Sequence, residues 1–187
     1  TFDTTLPLND GLNNNAIVQV YMATVNTARN YVYVDNKPVN GASMVLGSVF
    51  PTTGYGFSVP GGTTAFLVRD TASTTTQIPL SFAQNLTVGS HYTIFMYDTL
   101  NSPKQKTVED KIVPITDTTA RIRFANFVYS KTAIPAVDVY SVAKQAIIFT
   151  NVQVSDVTGY CPSGAGGHVF SAVTVQSMYT RKLKRKV

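Results

Sequence analysis

Few side chains in this sequence are able to do covalent chemistry: one cysteine, Cys161, and two histidines, His91 and His168. A thiol becomes a useful nucleophile when a neighbouring base takes its proton. His168 is separated from Cys161 by a glycine-rich stretch, and His91 opens an alternating segment that turns it toward solvent, so the spacing assembles no Cys–His pair. Cys161 reads as a small turn residue. A lone cysteine also excludes an intramolecular disulfide and a multi-cysteine zinc site.

The glycines between Gly159 and Gly167 lack the terminal Lys-Ser/Thr of a phosphate loop, and strand-like His168-Val169-Phe170 follows where a dinucleotide fingerprint needs a helix. They read as a turn. The carboxylates are dispersed, with Asp35, Asp70, Asp98, Asp117 and Asp156 at turns or strand ends and Asp138 expected to face outward. No pair converges as glycoside hydrolysis requires, and no acidic loop has calcium-binding spacing. The expectation is a non-enzyme with no cofactor and no metal.

The net charge of +5 is local. Arg181, Lys182, Lys184, Arg185 and Lys186 hold five of the fifteen basic residues, and the other ten are matched by ten acids. Nucleic acid is therefore not an expected partner, and the basic tail 181–187 reads as a solvated end. What remains is tyrosine: Tyr21, Tyr31, Tyr33, Tyr55, Tyr92, Tyr97, Tyr129 and Tyr140. An outward tyrosine offers a large apolar contact with a polar tip, which suits protein or glycan recognition. Tyr31 and Tyr33, two apart on one strand face, are the candidate binding surface.

The elements that must carry these side chains are strands. Thr, Val, Tyr, Ser and Asn crowd the sequence, Glu109 is its only glutamate, and no stretch has a helical period. Period-two segments run over 16–23, 31–35, 43–50, 55–59, 64–69, 76–82 and 91–97, with a further strand expected over 107–113. Between them stand turn residues such as Asp35-Asn36-Lys37-Pro38, Asn40-Gly41 and Pro60-Gly61-Gly62. No run of apolar residues is long enough for a membrane-spanning helix.

The text then restarts. Ala16-Ile-Val-Gln-Val is echoed by Ala120-Arg-Ile-Arg-Phe, Tyr31-Val-Tyr-Val by Ala136-Val-Asp-Val, and Gly54-Tyr55 by Gly159-Tyr160, each displaced by 104 or 105 residues. The expected architecture is all-β: two tandem immunoglobulin-like β-sandwiches, the second incomplete. The expected layout is a flexible lead-in over 1–15, a first sandwich over 16–114, with the junction near 114–119, and a shortened second one over 115–187. Comparing the copies assigns faces. Val18, Val20, Ile122, Phe124, Val32, Val34, Val137 and Val139 point inward, with Leu67, Leu80, Phe82, Tyr92, Ile94 and Met96 completing the first core. Ile17, Gln19, Arg121, Arg123, Tyr33 and Asp138 point outward.

The phrases Ala120-Arg-Ile-Arg-Phe-Ala-Asn, Ala133-Ile-Pro-Ala-Val-Asp-Val-Tyr and Gly159-Tyr160, with Val59-Pro-Gly-Gly and Gly89-Ser-His-Tyr-Thr-Ile in the first copy, resemble the bacterial surface domain grouped as domain-of-unknown-function family 4397. The resemblance implies a β-sandwich, often in tandem, in exported lipoprotein-like proteins of Gram-negative bacteria, with no established catalytic residues. Its consequences are an extracytoplasmic location, at the outer-membrane surface or secreted, and a lipid anchor upstream of residue 1. The expected function is a non-catalytic binding or structural module, adhesion-like, with a protein or glycan partner. The alternative is a carbohydrate-binding module of a glycan-utilisation surface system. A homo-oligomer that covers the short second domain is expected as well.

Overall fold

The computed structural model describes residues 13–27, 29–54, 56–111, 119–164 and 169–174. The lead-in before Asn13, Tyr55, the junction 112–118, His168 and the tail 181–187 lie outside them. The described residues form strands and loops, with no helix. The chain divides into two compact units, Thr1–Ile112 and Val113–Val187.

Unit 1 contains β1 (Asn15–Met22), β2 (Tyr31–Val34), β3 (Lys37–Pro38), β4 (Val49–Phe50), β5 (Phe57–Pro60), β6 (Gly62–Arg69), β7 (Leu80–Leu86), β8 (His91–Thr99) and β9 (Ser102–Glu109). One sheet runs β4-β1-β8-β9, with β5 also paired to β1, and the other runs β3-β2-β6-β7. Their inner faces share one core: Ala16, Val18, Val20 and Met22 of β1 and Tyr92, Ile94 and Met96 of β8 meet Val32, Val34, Phe66, Val68 and Leu86 of the other sheet. Two sheets closed over one apolar layer make a sandwich-like arrangement. In a constant-type immunoglobulin sheet the first two strands are neighbours. Here β1 and β2 stand in different sheets, and β1 lies parallel to β8.

Local chemistry explains these strand ends. Asp35 and Asn36 both take positive φ, 46° and 66°, which gives β2 and β3 a two-residue hairpin turn of matching twist. Gly56, at φ +147°, lets β5 close onto β1, since a Cβ there would stand 2.6 Å from Ile17 Cγ2 and 2.7 Å from the Val18 carbonyl oxygen. Tyr92 is buried, and its hydroxyl accepts the Thr87 N–H at 3.0 Å, tying the turn before β8 to the strand that follows it.

Three expectations for unit 1 are corrected. Leu67 is half-buried on the outer face and its neighbours Phe66 and Val68 fill the core, because the pairs Val34↔Phe66 and Val32↔Val68 fix the phase of the unbroken apolar run 65–68. The expected strand over 43–50 shrinks to Val49–Phe50, since side-chain amides of Asn30 and Asn40 hold residues 40–44 as a loop. Strand β7 starts at Leu80 rather than 76, directly after Pro79, which has no N–H to give to a ladder. The last expected strand is β9, the hairpin partner of β8; it begins at Ser102 and ends at Glu109.

Unit 2 contains β10 (Ala120–Ile122), β11 (Val137–Ser141), β12 (Ala146–Val152), β13 (Cys161–Ser163) and β14 (Phe170–Thr174), arranged as a β10-β13 pair and a β12-β11-β14 sheet. Its pairing repeats that of unit 1. Ala16↔Val59, Ile17↔Ser58 and Val18↔Phe57 in β1·β5 become Ala120↔Ser163, Arg121↔Pro162 and Ile122↔Cys161 in β10·β13, every residue displaced by 104. The β3-β2-β6 order likewise becomes β12-β11-β14, again antiparallel throughout. Cys161 thus belongs to a strand, not a turn.

Among the described residues unit 2 buries fewer apolar side chains, namely Ala136, Val139 and Val152, and eight of the twelve well-exposed large apolar side chains described belong to it, among them Val128, Ile147, Tyr160 and Phe170. Ile122 and Phe124, expected inward, are half-buried, whereas their counterparts Val18 and Val20 are 0% and 1% exposed. Asp138, expected outward, is buried at 9% exposure. A register irregularity between Val137 and Tyr140 breaks the alternation, and the Asp138 carboxylate accepts the Asn151 N–H at 2.8 Å.

Candidate binding face

The outer face of the β3-β2-β6-β7 sheet carries the two tyrosines singled out by their spacing. Because Val32 and Val34 fill the core, alternation sends Tyr31 and Tyr33 to the opposite face, where both are half-buried. Cross-strand neighbours set what surrounds them: Tyr31 stands opposite Arg69, and Tyr33 stands between Leu67 on β6 and Pro38 on β3. Beyond Leu67 the face continues onto Ser81 and Ala83 of β7, both small and exposed, so the tyrosines border a shallow strip.

Two arginines lie on these rings. The Arg69 guanidinium carbon is 4.9 Å from the Tyr33 ring centroid, and that of Arg29 is 5.9 Å from the Tyr31 centroid. Both are within cation–π range. Arg29 is held from behind, with its Nε 3.6 Å from Asp70 Oδ1 and its Nη2 donating to Thr71 Oγ1 at 3.2 Å. The Ala72 N–H donated to Asp70, supported by the Thr75 hydroxyl and Arg29 and opposed by desolvation, holds this carboxyl below the ordinary aspartate value. Arg69 is exposed and has no carboxylate within ion-pair distance among the described residues. The face therefore offers a fixed, paired arginine at one end and a positive, ring-supported arginine in its middle.

Buried amides brace the strand from below. Asn40 Oδ1 accepts the Val32 N–H at 2.7 Å, and Asn40 Nδ2 donates to the carbonyls of Asn30 at 3.2 Å and Ala42 at 2.8 Å. Asn30 donates through Nδ2 to the Met44 carbonyl and accepts from Gln77 Nε2. Val32 lies between the two tyrosines, so Asn40 continues the β2–β3 ladder with a side chain at the point where the candidate face needs a fixed backbone. Arg29, Asn30, Asn40, Arg69 and Gln77 were not singled out by sequence. The tyrosine spacing pointed to the face, but no sequence signal pairs Arg69 with Tyr33 across two strands.

The remaining tyrosines separate by role. Tyr92 is core, Tyr21 packs on Phe95 with ring centroids 5.8 Å apart, and Tyr129 is exposed on unit 2. Among the potentially reactive groups, Cys161 lies 3.9 Å from Lys144 Nζ, which also donates to the Pro162 carbonyl. Among the described residues no cluster of three or more His, Cys, Asp or Glu side chains is placed to hold a metal ion, and no helix is long and apolar enough to cross a membrane. No family model matches the chain, and no curated protein matches it.

Proposed function

We propose that the chain is a non-catalytic binding or structural module displayed outside the cell, at an outer-membrane surface or secreted, built as two copies of one immunoglobulin-like sandwich plan. The repeated strand register supports the two-copy reading, with β1 and β2 divided between sheets where the immunoglobulin order would join them. The kinship to the family 4397 surface domains and a lipid anchor upstream of residue 1 belong to the same proposal.

The observation that carries it is the Tyr31–Tyr33–Arg69 face. Two tyrosines and an arginine without a described carboxylate partner, on a rigid sheet, form a recognition surface for a protein that presents a carboxylate beside an apolar contact. A carbohydrate module would use the same tyrosines by stacking a sugar on a ring. Arg69 already occupies one face of Tyr33, which favours the protein partner. Surface plasmon resonance of the immobilised chain against a glycan array and an array of acidic and neutral peptides tests the reading. Selective capture of acidic peptides, lost in Tyr33→Ala and Arg69→Ala, is the expected result. Capture of glycans alone replaces it with the carbohydrate module, and turnover of ester, peptide or glycoside substrates by the purified chain removes both.

A further inference from the structure

We propose that unit 1 carries a second interaction surface, separate from the Tyr31–Tyr33–Arg69 face: the loop end of its two sheets docks on a zwitterionic lipid bilayer, with Val45, Leu46 and Ile78 entering the acyl boundary.

The strand directions gather four connections at one end of the unit. Strands β1 and β8 run parallel toward that end, β6 finishes there, and β2, β7 and β9 start there. The pair Tyr21↔Val49 brings the segment before β4 to the same end. Residues 23–30, 41–48, 70–79 and 100–101 therefore lie together, while Asn15 of β1 and Glu109 of β9 lie at the opposite end. Hydrogen bonds tie these loops into one platform. Asn30 and Met44 exchange both backbone bonds at 2.9 Å, and Gln77 Nε2 donates to Asn30 Oδ1. The Ile78 N–H donates to the Leu100 carbonyl at 3.0 Å, and the Val25 N–H to the Asp98 carbonyl at 2.9 Å. Met44 and Gln77 meet at Asn30, so the residues that follow them, Val45 and Ile78, leave the platform from adjoining points.

What this platform holds outward is aliphatic. Val45 is 46%, Leu46 53% and Ile78 51% exposed. Leu46 stands at the corner of a tight turn in which the Ser48 N–H donates to the Val45 carbonyl at 2.9 Å and Gly47 takes φ +86°, as the third residue of a type II turn must. The Val45 N–H donates to Ser48 Oγ, and the Gly47 N–H donates to the Met22 carbonyl at 2.7 Å, which anchors the turn on β1. Turn corners ordinarily carry Pro, Gly, Asn, Asp or Ser. A leucine fixed there, beside Val45 and Ile78, differs from the scattered exposed apolar residues of an ordinary surface. Loop tips already held in place also lose little entropy on docking.

Charge specifies the occupant. Residues 23–28, 41–48, 71–79 and 99–103 contain no ionisable side chain. The charges at their border are matched, Arg29 with Asp70 at 3.6 Å and Lys104 with Asp98 at 2.8 Å, and Arg69 lies on the outer sheet face over the Tyr33 ring. Five of residues 71–76 are Ser or Thr, whose hydroxyls suit the phosphodiester and ester oxygens of a headgroup layer. Protein hot spots centre on Trp, Tyr and Arg. Aliphatic tips ringed by hydroxyls and self-matched ion pairs instead complement a headgroup layer of zero net charge over hydrocarbon.

The probe is a vesicle of pure phosphatidylcholine, because the five cations of the tail 181–187 would attract any anionic lipid. Flotation of the full chain with these vesicles should show partition that 0.5 M NaCl, a concentration that screens exposed charges over about 4 Å, does not weaken. Leu46→Ser with Ile78→Ser should lower the partition at least about tenfold. The chain has no tryptophan, so Leu46→Trp adds one fluorophore at the turn corner. Its emission should move to shorter wavelength with vesicles and be quenched by phosphatidylcholine brominated on the acyl chains, whereas Thr63→Trp, at the opposite end of β6, should show neither change. The tryptophan pair decides the matter if the double serine variant does not fold. No partition onto phosphatidylcholine, equal partition of the serine variant in its folded form, equal emission changes at the two tryptophan positions, or a parent that sediments as a dimer and becomes monomeric with Leu46→Ser would each overturn the proposal. Binding of acidic peptides by the Tyr31–Tyr33–Arg69 face is read in a separate assay, so either surface can fail without the other.

Discussion

Asn40→Ala should destabilise unit 1 far more than a loop asparagine ordinarily would. The side chain is 4% exposed and makes three hydrogen bonds, of which the decisive one satisfies the N–H of Val32, itself 1% exposed. The Asn30 carbonyl keeps the Met44 N–H after the change, and the Ala42 carbonyl lies in an exposed loop, so neither is stranded. The Val32 donor is stranded. An orphaned buried donor costs ~1–3 kcal/mol, and the space left by the carboxamide raises the total to ~2–4 kcal/mol. Against a domain stability of ~5–15 kcal/mol, this is a large fraction. Urea unfolding followed by circular dichroism should show a lower midpoint with an unchanged slope, and the Val32 amide should become one of the faster-exchanging core amides. Asn40→Asp keeps the acceptor for Val32 but turns acceptor oxygens toward two carbonyls, so it should also destabilise. An Asn40→Ala midpoint within ~0.5 kcal/mol of the parent would mean that the amide brace does not hold β2.

Other consequences are equally direct. Gly56→Ala places a Cβ against the Val18 carbonyl oxygen and Ile17 Cγ2 at a backbone angle that alanine rarely adopts, and should cost ~1–3 kcal/mol, with β5 and the facing part of β1 losing amide protection first. Tyr92→Phe removes the acceptor of the Thr87 N–H and should cost ~1 kcal/mol, lowering the melting temperature by about 4–8 °C for a unit of this size. Asp70 has a depressed folded pKa, so its contribution to stability is present above the unfolded value of about 4 and lost as pH falls through the lower folded value. Carboxyl NMR titration should place its midpoint below that of an unstructured aspartate, and Asp70→Asn should remove this part of the acid dependence of stability.

Much of the fold was legible because strand alternation is a direct consequence of pleating. The inward set Val18, Val20, Val32 and Val34 follows from period two alone, and the echo of Ala16–Val18 at Ala120–Ile122 marks where the β10·β13 pairing repeats that of β1·β5 at a constant displacement of 104. Legibility failed where alternation carries no phase information. Residues 65–68 are apolar without a break, so alternation does not say which face Leu67 takes, and its cross-strand partners set it outward. It failed again where a side chain replaces a ladder rung, as with Asn40, and where an irregular register turned Asp138 inward. The candidate face was half visible. Two tyrosines at i and i+2 announce a shared surface, but the arginine laid over Tyr33 comes from a strand more than thirty residues away, a distance that composition and spacing do not bridge.

The most direct test of the two-unit architecture is hydrogen exchange, followed by mass spectrometry, of the parent and of Val20→Asp. The substitution buries an unpaired carboxylate among residues less than 10% exposed, at a cost of several kcal/mol or about the whole stability of one unit. Protection should collapse throughout β1, β2, β6 and β8 while the β11 and β12 amides exchange at their parental rates. Equal loss of protection in both units would contradict an arrangement in which each copy carries its own core.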